Sequence, residues 1–187
     1  MNFNRRPLFA TAALAIALLS TGAAFAKNPD VGGAAMFETK NIIENALNSK
    51  DHTTLVAAVK AAGLVDALQG KGPFTVFAPT NEAFAALPEG TVDTLLKPEN
   101  KDKLVKILTC HVVPAAAMAA DVASMAAADG GSHEVTTLGG CKLKLAAKDG
   151  KVTVTDEAGG TANVTIADVK QSNGVIHVVD KVLLPKM

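Results

Sequence analysis

The sequence predicts an α+β domain, and three observations support this fold class. Apolar residues follow helical spacing through most of the first half of the chain, as in Leu55 and Val59. From His133 onward the period becomes two, which is typical of half-buried strands. A single early strand, Phe74–Phe77, interrupts the helical half. Helices first and strands last indicate α+β rather than alternating α/β architecture.

The chain opens with a predicted export signal, residues 1–26. It has a positive start, an apolar stretch and a small-residue cleavage site, at Arg5 and Arg6, Leu8–Leu19 and Ala24–Ala26. The apolar stretch is shorter than the roughly 20 residues that span a bilayer, which disfavours the alternative of an uncleaved anchor. We therefore expect cleavage between Ala26 and Lys27, a secreted or periplasmic protein, and no stable membrane insertion after the signal is removed.

The rest of the chain has the size of one domain. Asn, Pro and Gly residues make 27–35 a predicted flexible lead-in, and 36–187 the folded domain. The leader holds two of the 18 Lys and Arg residues and none of the 18 Asp and Glu residues, so the remaining side chains sum to −2. This small charge and the absence of Trp and Tyr exclude nucleic acid as a partner. A monomer is expected.

Helical elements are predicted in order along the first half. The apolar spacing and the Gly and Pro stops indicate helices beginning near Met36 and covering His52–Ala62, Leu64–Gly70, Thr91–Leu96, and Glu99–Thr109. The alanine-rich stretch Ala115–Asp129 is read as a surface helix that packs through small residues or as a loosely ordered segment.

Strands are predicted in order along the second half. Alternation and turn residues indicate strands at Val135–Leu138, Cys141–Leu145, Val152–Val154, Ala162–Ala167, and Val175–Val179. Asp149-Gly150 is a hairpin signal, and Asn173-Gly174 is a further turn. A short strand-like run, Cys110–Val113, precedes Pro114, and places His111 inside a predicted strand.

The stretch Gly72–Leu87 joins the two kinds of structure. Pro79 ends the early strand because proline has no amide hydrogen for a ladder. Thr80 or Asn81 can cap the helix that follows, with Glu82 in its first turn. We expect Phe77 and Phe84 to be core residues that join this helix to the sheet.

Three stretches resemble the signature motifs of the fasciclin (FAS1) domain family, and they occur in that family's order. They are TVFAPTNEAFAALP at 75–88, LVKILTCHVVP at 104–114 and NGVIHVVDKVLLP at 173–185. The resemblance implies a FAS1-like fold in which N-terminal helices pack on a β-sandwich or wedge formed mainly by the C-terminal strands. It implies structural roles for the motif positions, which we assign to Thr80, Asn81, His111, Asp168, Asn173, Gly174 and His177.

Residues for catalysis, metal binding or cofactor binding are not recognisable in the sequence. There is no nucleophile elbow, no serine or cysteine with a base at a telling distance, and no phosphate-binding glycine loop. His111 and His177 occur in similar contexts and can be read as a ligand pair, but a metal site needs three or four convergent ligands. We expect them to bind backbone within the fold, and we expect no enzyme activity, metal or cofactor.

The resemblance also implies a class of function. Fasciclin-like domains are associated with adhesion and with protein, cell-surface or matrix partners outside the cytoplasm. In animal members a Tyr-His pair in the second motif is tied to integrin-dependent adhesion; Cys110-His111 stands at that position here. The expected function is a non-catalytic extracytoplasmic adhesion or surface-interaction module. The alternative is an extracytoplasmic carrier or sensor that binds an apolar ligand or cofactor.

The chain has two cysteines, Cys110 and Cys141, both beyond the leader. Export to an oxidising compartment and an even count predict one internal disulfide. The alternative is two separate buried thiols that act as small hydrophobic side chains.

Overall fold

A computed structural model describes residues 28–186 of the chain. The predicted leader and the cleavage position between Ala26 and Lys27 lie outside the described residues. The α-helices are α1 Ile42–Ala46, α2 Thr53–Ala62, α3 Val65–Gln69, α4 Asn81–Ala85, α5 Thr91–Leu95, α6 Lys101–Thr109 and α7 Ala119–Ala128, and 3-10 turns cover Lys50–His52 and Pro98–Asn100. The strands are β1 Asp30–Val31, β2 Ala34–Ala35, β3 Phe74–Pro79, β4 Val112–Val113, β5 His133–Thr136, β6 Lys142–Lys148, β7 Lys151–Thr155, β8 Thr161–Gln171 and β9 Gly174–Val179.

Seven of the strands form one mixed sheet, in the order β4-β3-β9-β8-β7-β6-β5. β3 and β9 run parallel, and the other neighbours are antiparallel. β8 is 11 residues long, and its register with β9 shifts between Val164 and Val169. This long strand pairs with β7 on one side and with β9 on the other. The predicted α+β class is confirmed, with the helices first and most of the sheet supplied by the C-terminal half.

The sheet carries two apolar clusters. The first lies between α1–α6 and the β3–β9 pair and contains Phe84, Leu104 and Ile176. The second lies between α7 and the β6–β8 strands and contains Phe77, Val122 and Leu143. Phe77 is 1% exposed and Phe84 is 6% exposed, so both are core residues, as predicted.

The N-terminal part differs from its prediction in two places. The first helix begins at Ile42 and not near Met36, because Asn41 and Glu44 form a reciprocal capping box that fixes its start. The lead-in, predicted to be flexible, contains the β1–β2 hairpin, which pairs residues 30–31 with 34–35. Val31 of this hairpin is 2% exposed and joins the first apolar cluster, which explains why the segment lies against the domain.

α7 packs against β6 through Val122 and Ala126, both 1% exposed. The alanine-rich stretch is therefore a helix that docks through small residues, the first of the two readings. Within residues 28–186, no helix combines the length and apolar character that a bilayer crossing requires.

Candidate functional site

The first motif holds two helices in place. Thr80 caps α4 by accepting a hydrogen bond from the Ala83 amide at 3.3 Å. Asn81 bonds outside its own helix: its Oδ1 accepts from the Thr54 amide at 3.0 Å, and its Nδ2 donates to the Lys50 carbonyl at 2.8 Å. Asn81 thus supplies the cap that α2 lacks at its own N-cap position.

The β8–β9 turn connects three segments through Asn173. Its Oδ1 accepts from the Ile42 amide at 3.1 Å at the start of α1, and its Nδ2 donates to the Leu68 carbonyl at 2.8 Å and to the Gly70 carbonyl at 3.0 Å. Gly174 is required by close packing, because a Cβ there would lie 2.1 Å from the Phe74 carbonyl oxygen. This turn fixes the helical layer on the parallel strand pair.

The loop between β4 and α7 is held by side chains from three strands. Thr75 Oγ1 donates to the Ala115 carbonyl at 2.6 Å and accepts from the Ala117 amide at 2.9 Å. His177 Nε2 donates to the Ala117 carbonyl at 2.8 Å. Asp168, which has a positive φ of 59°, accepts from the Ala119 amide at 2.7 Å in the first turn of α7.

His177 also accepts at its second nitrogen. Its Nδ1 lies 3.3 Å from the Asp168 amide, so both ring nitrogens bond to backbone and the ring is the neutral Nε2–H tautomer. Burial lowers the pKa of His177, while the Ala117 carbonyl and the Asp168 charge oppose that shift. Phe77 stacks on the ring with centroids 5.7 Å apart.

Both ring nitrogens of His111 also bond to backbone. His111 lies just before the edge strand β4, whereas His177 lies in β9 inside the sheet. His111 Nδ1 donates to the Ile107 carbonyl at 2.8 Å, and its Nε2 accepts from the Leu183 amide at 2.9 Å. Burial lowers the pKa of His111 to about 4, against weaker opposing effects of the Ile107 carbonyl and the Asp156 charge. The side chain is therefore a neutral, fully bonded part of the core.

One prediction about this region was wrong. Cys110 is the C-terminal cap of α6 and His111 lies in the turn after it, so neither belongs to a strand, and β4 consists of Val112 and Val113 alone. The helix continues through the motif because its apolar face, which includes Leu104 and Leu108, stays on the core. The His111 and His177 rings bond to different segments and do not form a ligand pair.

Because His111 is neutral in the folded protein, we expect the free energy of unfolding to depend on pH. Its pKa in the folded protein, about 4, lies below the ordinary 6.5. The associated stability is therefore complete above pH 6.5 and is lost as the pH falls toward 4, by about 3 kcal/mol in total. This loss of unfolding free energy is measured by urea unfolding of wild type and His111→Asn at several pH values between 7 and 4.

We expect His111→Asn to be less stable at pH 7, because one of the two backbone groups loses its partner, and to lose less stability between pH 6.5 and 4. His52 and His177, whose pKa values burial also lowers, supply the remaining slope in the variant. Identical pH slopes for the two proteins would contradict the role of His111.

Cys110 and Cys141 are joined by a disulfide, with Cα atoms 5.4 Å apart, within the range that such bonds require. The bond connects the end of α6, beside β4, to the loop between β5 and β6. β4 and β5 stand at opposite ends of the sheet order. Two backbone bonds reinforce the junction: Leu138 donates to Val112 at 2.7 Å, and Gly139 donates to Thr109 at 3.1 Å. The disulfide therefore draws the two ends of the sheet together.

Sequence reasoning missed a buried amide pair. Asn45, 0% exposed, donates to the Phe37 carbonyl at 2.8 Å and accepts from the Phe37 amide at 3.1 Å, and its Nδ2 also contacts Gln171 Oε1. Thr75 was missed too, although a threonine in an otherwise apolar strand is a signal for such a contact. His52 is a third buried polar residue; its Nδ1 lies 2.9 Å from Ser49 Oγ, and its Nε2 has no hydrogen-bond partner within the described chain.

Two apolar crevices of the described residues are small. Two crevices open into the first apolar cluster, with volumes of about 30 and 20 Å³. Ligand pockets usually measure hundreds of cubic ångströms. A much larger concave surface is an open groove of about 780 Å³, and its walls include Lys71, Gly72, Ala116, Met118 and Lys170.

The groups that could bind a metal are dispersed. Across residues 28–186, no three His, Cys, Asp or Glu side chains come close enough to form a ligand set. The polar motif residues bond to backbone carbonyls and amides of neighbouring segments. Fold and site thus define a scaffold domain, in which these residues position loops and helix ends.

Comparisons with known proteins agree with this class. The profile of the Fasciclin domain matches residues 50–185. Protein sll1483 from Synechocystis sp. is 55% identical over 161 residues, which cover 86% of this chain and 82% of that protein. Immunogenic protein MPB70 from Mycobacterium bovis is 34% identical over 145 residues, or 75% of this chain and 66% of that protein.

A solved structure shares the fold. The FAS1 domain pair from the insect cell adhesion molecule fasciclin I superposes with a TM-score of 0.69 at 18% identity, covering 78% of this chain and 51% of that chain. The chain belongs to the fasciclin domain family.

Proposed function

We propose that this chain is a non-catalytic, extracytoplasmic adhesion or surface-interaction module, which binds a protein, cell-surface or matrix partner. The main support for this proposal is that the motif residues form hydrogen bonds within the domain and so have a structural role. Thr80, Asn81, Asp168, Asn173 and both motif histidines bind backbone groups within the domain. Family membership and the likeness to a domain pair from a cell adhesion molecule support the same class.

The partner surface lies away from the second motif. Cys110 and His111 are 1% and 2% exposed, so these two side chains are not available to a partner at the position where animal members carry Tyr-His. The open groove is the better candidate, because its walls are parts of the loop that Thr75 and His177 hold and of the turn that Asn173 fixes. Rigid walls reduce the entropy cost of binding.

The experiment is site-specific crosslinking in the cell envelope of the source organism. A photoreactive amino acid replaces Ala116 or Lys170 on the groove walls in one pair of proteins. It replaces Lys148 or Lys151, which flank the β6–β7 turn and do not line the groove, in a matched control pair. The proposal predicts discrete, reproducible adducts from the groove positions. Absence of any adduct from all four positions would contradict a surface-interaction module.

Export makes a separate prediction. We expect the mature protein to begin at Lys27, since the leader carries a small-residue cleavage site ending at Ala26. N-terminal sequencing of the protein from its native compartment checks this. Recovery of a membrane-embedded species that still begins at Met1 would contradict it.

A further inference from the structure

The chain after β9 forms a segment that we call the C-terminal strap, residues 180–186. It has neither helix nor strand, yet Val182, Leu183 and Pro185 are buried, and the first two lie in different parts of the core. Val182, 7% exposed, packs in the first apolar cluster, and Leu183, 1% exposed, packs in the second. The strap therefore ties the two clusters together without belonging to the sheet.

The strap is attached in an unusual way. After Asp180, no amide in it bonds to a backbone carbonyl of the described residues. Three of its amides bond to side chains. Leu183 donates to His111 Nε2 at 2.9 Å, Leu184 donates to Asp156 Oδ2 at 2.8 Å, and Lys186 donates to Glu157 Oε2 at 3.2 Å. All three acceptors can be protonated, whereas the carbonyl acceptors that hold β3, β8 and β9 cannot within the same pH range.

We propose that the strap is an acid-released latch, which detaches from the folded domain before the domain unfolds. A protonated His111 would present an N–H at Nε2, where it now accepts from Leu183. Asp156 uses both carboxylate oxygens as acceptors, Oδ2 for the Leu184 amide and Oδ1 for the Gly160 amide. Glu157 also accepts from the Lys142 amide, at 2.9 Å.

The charged groups around the latch set its pH range. His111 faces the Asp156 carboxylate and the Ile107 carbonyl, and burial outweighs both in holding its pKa at about 4. The Lys142 and Lys186 amides lower the pKa of Glu157, with smaller help from the Lys106 and Lys142 charges. The lowered pKa values of His111 and Glu157 mean that their bonds to the strap are intact at neutral pH. The bond to His111 is lost as the pH falls toward 4.

Release would uncover apolar surface. Leu183 packs in the cluster that contains Phe77 and Leu143, so its departure exposes part of that cluster to solvent. An acid environment would thus give the domain an apolar surface that it lacks at neutral pH. This inference does not depend on the proposed adhesion function.

Two-dimensional NMR of ¹⁵N-labelled mature protein, titrated from pH 7 to pH 3, tests the latch. We expect the Leu183, Leu184 and Lys186 amides to move to random-coil positions near pH 4, while the β3 and β9 amides keep native positions. His111→Gln keeps an acceptor that does not titrate, so its release should shift to lower pH. His177→Gln is the matched control, because His177 is a buried histidine whose ring nitrogens bond to the Ala117 carbonyl and the Asp168 amide and to no strap amide. This variant should leave the midpoint unchanged.

Asp156→Asn provides a second variant in case His111→Gln does not fold. Its single amide oxygen cannot serve both Leu184 and Gly160, so we expect strap amides closer to random-coil positions already at pH 7. Three results would overturn the proposal: strap and β3 amides that lose native positions together, an equal midpoint shift in His177→Gln, or a wild-type titration in Asp156→Asn.

Discussion

Replacing Phe77 with Ala is expected to lower the free energy of unfolding by about 3–5 kcal/mol, the usual cost of removing a large core aromatic side chain. Phe77 is 1% exposed, stacks on His177 and packs in the second apolar cluster. Its removal would leave a cavity and also loosen the ring that holds the loop before α7. Guanidinium unfolding of wild type and variant, monitored by far-UV circular dichroism, measures the difference.

Phe84→Ala should fall in the same range, because Phe84 is 6% exposed and ties α4 to the first apolar cluster. Phe37→Ala is the control, because Phe37 is 41% exposed. Its free energy of unfolding should fall by only roughly 0.5 kcal/mol. A well-folded Phe77→Ala or Phe84→Ala protein that loses less than about 1 kcal/mol would show that the core is organised differently.

Removing the disulfide is the second large effect. The double variant Cys110→Ala, Cys141→Ala should be less stable than wild type by about 3–4 kcal/mol, the chain-entropy value for a loop of this size. The sequence separation is 31 residues. The bond also joins the two ends of the sheet order, so its loss would leave the Leu138 and Gly139 backbone bonds to hold that junction.

Thiol titration of the denatured, unreduced mature protein complements the stability measurement. We expect no free thiols in protein from an oxidising compartment. Two free thiols per chain would show that Cys110 and Cys141 act as separate buried side chains, and a double variant as stable as wild type would contradict the stabilising role. Wild type measured with and without a reductant separates loss of the bond from loss of the sulfur atoms.

The sequence predicts the order of elements well because local signals are strong there. Gly63, with a φ of 73°, ends α2 as predicted, and the Asp149-Gly150 signal is the turn between β6 and β7. The parallel pairing of β3 with β9 joins segments about a hundred residues apart. Strand alternation carries no information on which distant strand becomes the partner, so this pairing comes from the structure.

The sequence predicted which residues belong to the candidate site, but it did not predict their hydrogen-bond partners. The sequence singles out Asn81, Asp168 and Asn173, and caps and turns describe their type of role. Their partners lie on other segments, as in the bond from Ala119 to Asp168, 49 residues away. Cys110 and His111 show the limit of local reading: a short β-like run contains a helix cap and a turn, because helical packing of α6 extends to Cys110.

The structural role of His111 and His177 can be tested by metal analysis of protein purified from its native compartment. Wild type and His111→Asn are compared for zinc, iron and copper content and for unfolding free energy at pH 7. We expect no stoichiometric metal in either protein and a lower free energy of unfolding in the variant, because one backbone group bound by His111 loses its partner. Stoichiometric zinc, iron or copper in wild type that is lost in His111→Asn would show that His111 is a metal ligand and not a structural residue.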